Sequence, residues 1–345
     1  MNVLKSSAIY SFFTFLSRIF GFLRDILIAN FLGTGFLADI FFVAFRFPNT
    51  FRRIFSEGAL NSAFVPIYSK LLLGTEKFES GKFAGNIISI LALSTLLIVI
   101  LVEIFMPYFL HLIAPGFIAD EEKFSQLIDT SRIIFPFLIL ISISSIYSSI
   151  LNANGKFALS AALPIILNVI LCTSLVLAYY FSNAFLEFLS WGVLFAGIIQ
   201  VIFLFFSIKS NKIIIHFTRK LSNSIKSFFK LFFPSFFSSG LLQINILIGT
   251  IIASYESGAV SYLYYADRIY QLPLALVGIA LGIALLPSIS KKIKEDSHSE
   301  VKVTIEKTIK FALMFSLPAA VGLYFIPEII IQVLFERGEF NNFAT

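Results

Sequence analysis

Six arginines stand inside otherwise apolar sequence: Arg18, Arg24, Arg46, Arg52, Arg53 and Arg268. The residue type is informative. A guanidinium stays charged, and its planar fork grips phosphate oxygens in pairs, which an ammonium does not. Holding one charge at the centre of a bilayer costs from about 3 to well over 10 kcal/mol. The set is therefore read as the lining of a water-filled cationic cavity whose ligand is an anion, most naturally a phosphate or pyrophosphate. A site for small cations would carry acids instead. The candidate internal partners are Asp25, Asp39, Glu57 and Asp267. Glu57 follows Arg53 by one helical turn. Asp39 and Arg46 are seven residues apart and share a face, and Asp267 adjoins Arg268. Four acids do not neutralise six arginines, and Asp25 and Asp39 fall near the outer boundary. Arg52 and Arg53 lie nearer an end, where long side chains reach the interface.

Other chemistries find little support. The single cysteine, Cys172, excludes an internal disulfide and a thiolate cluster. His111, His216 and His298 are scattered. No Ser-His-Asp set, paired catalytic carboxylates, phosphate-cradling loop or metal-ligand spacing is visible, so neither an enzyme nor a cofactor is expected. A membrane enzyme acting on lipid-linked sugars would have to use Asp39 or Glu57. The net charge of +6 does not point to nucleic acid; its distribution among loops explains it.

The elements that must position these arginines are membrane helices. Of 345 residues, 58% are hydrophobic and only 13% charged, against about 25% in a soluble domain. Apolar runs of roughly 20 residues indicate a helical, multi-pass protein. Nine spans are predicted: 8–32, 37–68, 84–112, 130–152, 158–181, 186–208, 227–253, 259–289 and 308–332. Alternate loops differ sharply in basic residues. One set carries seventeen Lys and Arg; the other carries Lys123, Arg132 and Arg337. The basic set belongs in the cytoplasm, which places the N-terminus there. Arg18 interrupts the first apolar run and no small-x-small site ends it, so it reads as a helix and not a cleaved leader.

The chain also repeats weakly. Gly35 to Lys70 and Gly258 to Lys291 both begin at a glycine, reach an arginine, pass a proline (Pro48, Pro273) and close on P-x-x-S-K. Both copies share one membrane orientation, a parallel repeat about an axis along the membrane normal. The expected organisation is a six-helix lobe over residues 1–210, a basic cytoplasmic linker at 211–226, and three helices of a second lobe over 227–345. With only three helices of that lobe, the chain reads as C-terminally truncated. Gly21, Gly33, Gly35 and Pro48 offer places to bend, and Asn49 can bond backbone groups freed by Pro48.

From Ser17 to Lys70 the sequence reads SRxxGxxRDxxxAxxxGxGxxxDxFxxAFRxPNxxRRxFxEGAxxxAFVPxxxK. With the later YYADRIYQLPLALVGIALGIALLPSISK and LFERGEF, it closely resembles the MurJ (MviN) family of bacterial lipid II flippases. The resemblance runs in order along the whole chain. It implies the multidrug/oligosaccharidyl-lipid/polysaccharide exporter fold of fourteen helices, of which about nine are present here. Two lobes would surround a cavity, with two further helices forming a groove for the lipid tail. It implies transfer of lipid II, an undecaprenyl-pyrophosphate disaccharide-pentapeptide, from the cytoplasmic to the periplasmic leaflet for cell wall biosynthesis. Arg18, Arg24, Arg52 and Arg268 match the family's cavity arginines. Ser17, Asn49 and Arg53 join them as substrate-binding candidates, with Asp25, Asp39, Glu57 and Asp267 as gate or support. The implied location is the bacterial inner membrane. The implied partners are lipid II, membrane phospholipids and the cell-wall synthesis machinery. No energy source is visible, and coupling to the membrane potential or to an ion fits equally. A related exporter of another lipid-linked polysaccharide or of drugs is the nearest rival.

Overall fold

The computed structural model describes residues 3–54, 59–74, 77–274 and 298–345, with isolated positions 285, 289 and 293. Proline decides where most helices break. The first helix, α1 (Val3–Leu32), ends at Gly33, whose φ of 62° an L side chain rarely adopts. Gly35, also at positive φ, starts α2 (Phe36–Arg52). The expected single helix over 37–68 is divided: α2 passes into wide turns at Arg53 and Ile54, and α3 (Leu60–Leu73) follows. The apolar pattern runs through this change of pitch, which hid it. Glu57 lies outside the described residues.

The next spans break at Pro107, Pro136 and Pro164, each lacking the amide a continuing helix needs. They comprise α4 (Lys77–Ile104), α5 (Met106–Ile113), α6 (Glu121–Ile134), α7 (Phe137–Ala153), α8 (Phe157–Ala161) and α9 (Leu163–Phe181). A short 3₁₀ turn, Pro115–Ala119, precedes α6. Beyond it, Asp120 caps α6 by accepting the Lys123 amide at 3.0 Å. Then come α10 (Phe185–Ser210), α11 (Ile225–Ala253), α12 (Ala259–Pro273), α13 (His298–Phe325) and α14 (Pro327–Phe335). The far part of the expected 259–289 span, with the second P-x-x-S-K, falls almost wholly outside the described residues. Six described stretches are long and apolar enough to cross a membrane, and Glu121–Ala153 joins α6 and α7 into one of them.

Two apolar cores hold the bundle. One joins α1, α2, α6, α7, α9, α10 and α12; the other joins α3, α4, α7, α10 and α11. Leu93, Leu97, Leu101 and Ile104 on α4, and Trp191, Phe195, Ile202 and Phe206 on α10, stay exposed. Such outward apolar stripes suit lipid as solvent.

Alternate turns meet at opposite ends of the bundle. At one end the Tyr265 hydroxyl donates to Gly33 O at 3.1 Å, the Gly116 amide to Ser254 Oγ at 3.0 Å, and the Glu339 amide to Asn30 O at 2.9 Å. At the other end, residues 213–222 lie along α4. There the His216 amide donates to Gly81 O at 3.1 Å, and Asn86 bonds Thr218 O and the Ser222 amide. Gly81 and Gly85 leave the space this segment occupies. One basic residue departs from expectation. Lys123 belongs to α6 and is buried, not solvated in a loop.

Candidate functional site

Arg24 lies eight residues before the end of α1, and Arg268 nine after the start of α12. At about 1.5 Å per residue both sit some 12–14 Å below the end where the 33–35 and 254–258 turns meet. Asp25 joins them. Its Oδ1 accepts from Arg24 Nη2 at 2.6 Å and Nε at 3.0 Å, and from the Tyr264 hydroxyl at 2.8 Å. Arg268 Nε lies 3.1 Å from Asp25 Oδ2. Tyr264 closes the ring, accepting from Arg268 Nη2 at 2.8 Å and Arg24 Nη2 at 3.0 Å. The Arg268 guanidinium also covers the Tyr264 ring, and Phe42 of α2 stacks on that ring with centroids 3.7 Å apart.

The back of Arg24 is held by α9. Its Nη1 donates to Asn168 Oδ1 at 2.9 Å, and Asn168 Nδ2 donates to Ser17 O at 3.2 Å. Gly21 leaves room for that amide: a Cβ there would stand 3.3 Å from Asn168 Nδ2. Arg24 and Asp25 are buried, so one carboxylate serves two guanidiniums largely out of water. Low dielectric strengthens such a bond and makes its loss costly.

Toward the other end a cleft opens between α2, α11 and α12. Arg46 and Asn49 line it from α2, Arg53 from the turn that follows, Gln243 from α11, and Asp267 and Arg268 from α12. Arg46 Nε is shielded from solvent and has no hydrogen-bond partner. An unpaired buried donor of that kind is expensive unless a ligand meets it. Counting the Arg24–Asp25 pair behind Tyr264, the site carries two positive charges in excess.

The structure thus gathers Arg24, Asp25 and Arg268 into one ring, and Asn49, Arg53 and Asp267 into the adjoining cleft with Arg46. Others lie elsewhere. Arg18 is exposed on α1, and the Ser17 hydroxyl bonds Thr14 O in its own helix at 2.8 Å. Arg52 Nε donates to Asn49 Oδ1 at 3.0 Å but does not line the cleft. Asp39 is not the partner of Arg46 suggested by their spacing. It is fully buried at the end of the bundle, held by Lys123 Nζ at 2.9 Å, the Gly258 and Ser261 amides at 2.9 Å each, and the Ser261 hydroxyl.

Sequence reasoning missed Tyr264, Asn168, Lys123 and Ser261. Asn168, a lone amide within an apolar helix, was the one with a usable signal. The starts of the two repeat copies meet in space. Gly35 and Gly258 both take positive φ ahead of a helix, and they exchange bonds: the Gly258 amide donates to Asp39, the Gly35 amide to Ser261 Oγ at 3.1 Å.

Comparison with known proteins fits this geometry. The family model described as lipid II flippase MurJ matches residues 28–345. The chain belongs to the MurJ lipid II flippase family. A probable MurJ of Rhizobium tropici is 41% identical over 94% of this chain, and one of Rhizobium meliloti 39% identical over 100%. The chain spans 62% and 65% of those two relatives' lengths. A solved MurJ in an inward closed conformation superposes with a TM-score of 0.81 at 31% identity, over 96% of this chain and 68% of that one. An inward-facing multidrug MATE transporter shares the fold, with a TM-score of 0.73 at 15% identity, over 95% of this chain and 74% of its own. The MurJ family and the multi-pass helical architecture agree with the resemblance read from the sequence.

Proposed function

We propose that the protein carries the pyrophosphate headgroup of lipid II from the cytoplasmic to the outer leaflet of the bacterial inner membrane, for cell wall synthesis. The observation that carries this reading is the cationic cleft on α2, α11 and α12, closed at one end by the Arg24–Asp25–Tyr264–Arg268 ring. The open end faces the cytoplasm, as does the N-terminus. The headgroup enters there and the polyprenyl tail stays in lipid. Arg46 and Arg53 take phosphate oxygens first, with Arg18 and Arg52 joining as the cleft widens. At Arg268 a phosphate competes with Asp25, because both are anionic acceptors for one planar fork. Exchange of that partner loosens α12 from α1. The 1–210 unit then rocks against the 227–345 unit about the 211–226 linker, and the ring end opens. Each elementary charge crossing 100 mV is worth about 2.3 kcal/mol, so the membrane potential can reset the emptied cationic site. Phospholipids are the surrounding solvent, and the cell-wall synthesis machinery is the consumer of the product.

The test is headgroup exposure in spheroplasts depleted of their own lipid II flippase, read with an added lipid II-cleaving enzyme. The unchanged protein restores exposure. Arg46→Met lowers it about tenfold or more, and Arg46→Lys, which keeps charge without the fork, falls between. Full exposure with Arg46→Met removes the cleft from the mechanism.

A further inference from the structure

We infer that Lys123 is a positioning residue of the transport cycle, holding Asp39 charged and aimed at the N-terminus of α12 so that the ring end of the cleft can shut. This rests on the proposal that the two ends of the cleft open in turn. Four groups contact the Asp39 carboxylate. Three of them, the Gly258 amide, the Ser261 amide and the Ser261 hydroxyl, come from the start of α12. Only Lys123 comes from α6, which packs against α2 in the same core. When α12 swings away, Asp39 loses three donors together and keeps one.

The surroundings of Lys123 suit that task. It is 5% exposed and Asp39 0%. The ammonium sits 4.0 Å from the centre of the Phe117 ring, so a second attraction fixes it after the Asp39 oxygen. The Asp120 cap fixes the first turn of α6 from which it projects. The carboxylate in turn lies at a helix N-terminus, where backbone amides and the macrodipole favour negative charge. The arrangement is therefore a relay: an α6 cation sets an α2 anion, and the anion docks α12.

Loss of Lys123 has unequal effects on the two states. In the closed state Asp39 stays buried without its counter-cation. In the open state water reaches it. Lys123→Met should shift the population toward opening at this end by roughly tenfold or more. Lys123→Arg should keep the closed state. Adding Asp39→Asn to Lys123→Met should recover part of it, because the charge is gone and the amide oxygen still accepts from Ser261, although its NH₂ then faces the Gly258 amide.

The experiment is pulsed electron paramagnetic resonance on the purified protein in lipid nanodiscs. Spin labels are placed at Tyr180 and Tyr255, both exposed at this end, in a Cys172→Ser background. Two distance populations in the parent, with the longer one enlarged by Lys123→Met, restored by Lys123→Arg and partly reversed in the double variant, support the inference. Two populations unchanged by Lys123→Met overturn it while leaving alternating access intact. Equal opening in Lys123→Arg assigns the effect to packing and also overturns it. A single population in every variant sinks both the relay and the alternating access beneath it.

Discussion

Replacing Asp25 by Asn tests whether the arginine ring acts as one unit. The change keeps shape and one acceptor but removes the carboxylate shared by Arg24 and Arg268. The Arg24 contact is nearly dry, with side-chain exposures of 9% and 3%. Breaking a buried pair of that kind costs about 3–5 kcal/mol. The Arg268 side chain is 26% exposed, so its share is nearer 1 kcal/mol. Together these give about 4–6 kcal/mol against the closed arrangement, less whatever the Asn oxygen recovers from Arg24. The protein should lose several degrees of thermal midpoint in detergent, and headgroup exposure in spheroplasts should collapse. The sharper measurement is the cycle with Arg268→Gln. In the parent, Arg268→Gln leaves Asp25 with an unused oxygen; in Asp25→Asn it removes a guanidinium that has already lost its partner. The second effect should be smaller by roughly 1–3 kcal/mol. Strict additivity of the two midpoints would refute the shared-carboxylate argument.

Gly33→Ala should destabilise the protein and unseat the 336–340 segment. Its φ is 62° and a Cβ would come within 2.5 Å of Glu339 O, so a loss of about 2 kcal/mol or more is expected in thermal melts; an unchanged midpoint would contradict the close approach. Cysteine at Ser182 should react with an impermeant thiol reagent in intact spheroplasts while cysteine at Ser210 resists it. The reverse pattern overturns the cytoplasmic N-terminus.

The helical class and several span ends were legible because they follow from local physics, chiefly apolar length. Pro107, Pro136 and Pro327 were visible as residues, but not as breaks. A membrane helix can absorb proline as a kink when neighbours satisfy the freed carbonyl, and only the packing shows which outcome holds. The 211–226 segment was read by composition as a basic cytoplasmic linker, whereas residues 213–222 lie on α4 and α11 already begins at Ile225. Its docking on α4 depends on Gly81 and Gly85 being aligned one helical turn apart. That spacing was present in the sequence, but its occupant lies more than a hundred residues away.

The charge arithmetic was sound in sum and wrong in allocation. Six arginines against four acids did leave a positive surplus, yet the acids do not serve the nearest arginines. Asp39 is taken by a lysine and a helix N-terminus, neither of which enters a count of arginines. Asp25 is divided between two arginines 244 positions apart, a sharing that no helical spacing encodes. The consequence is spatial. The surplus falls on Arg46 and Arg53, which face the cleft with no ion pair among the described residues, while Arg24, Asp25, Asp267 and Arg268 of α1 and α12 sum to zero. Arginines of one chemical kind thus divide into those free to capture an anion and those already engaged in closing one end. A phosphate that reaches Arg268 connects the two groups, because it offers that fork what Asp25 offers. In the proposed cycle, ligand arrival and release of the closed end are then one exchange of partners, a role that suits a planar fork and a shared acid.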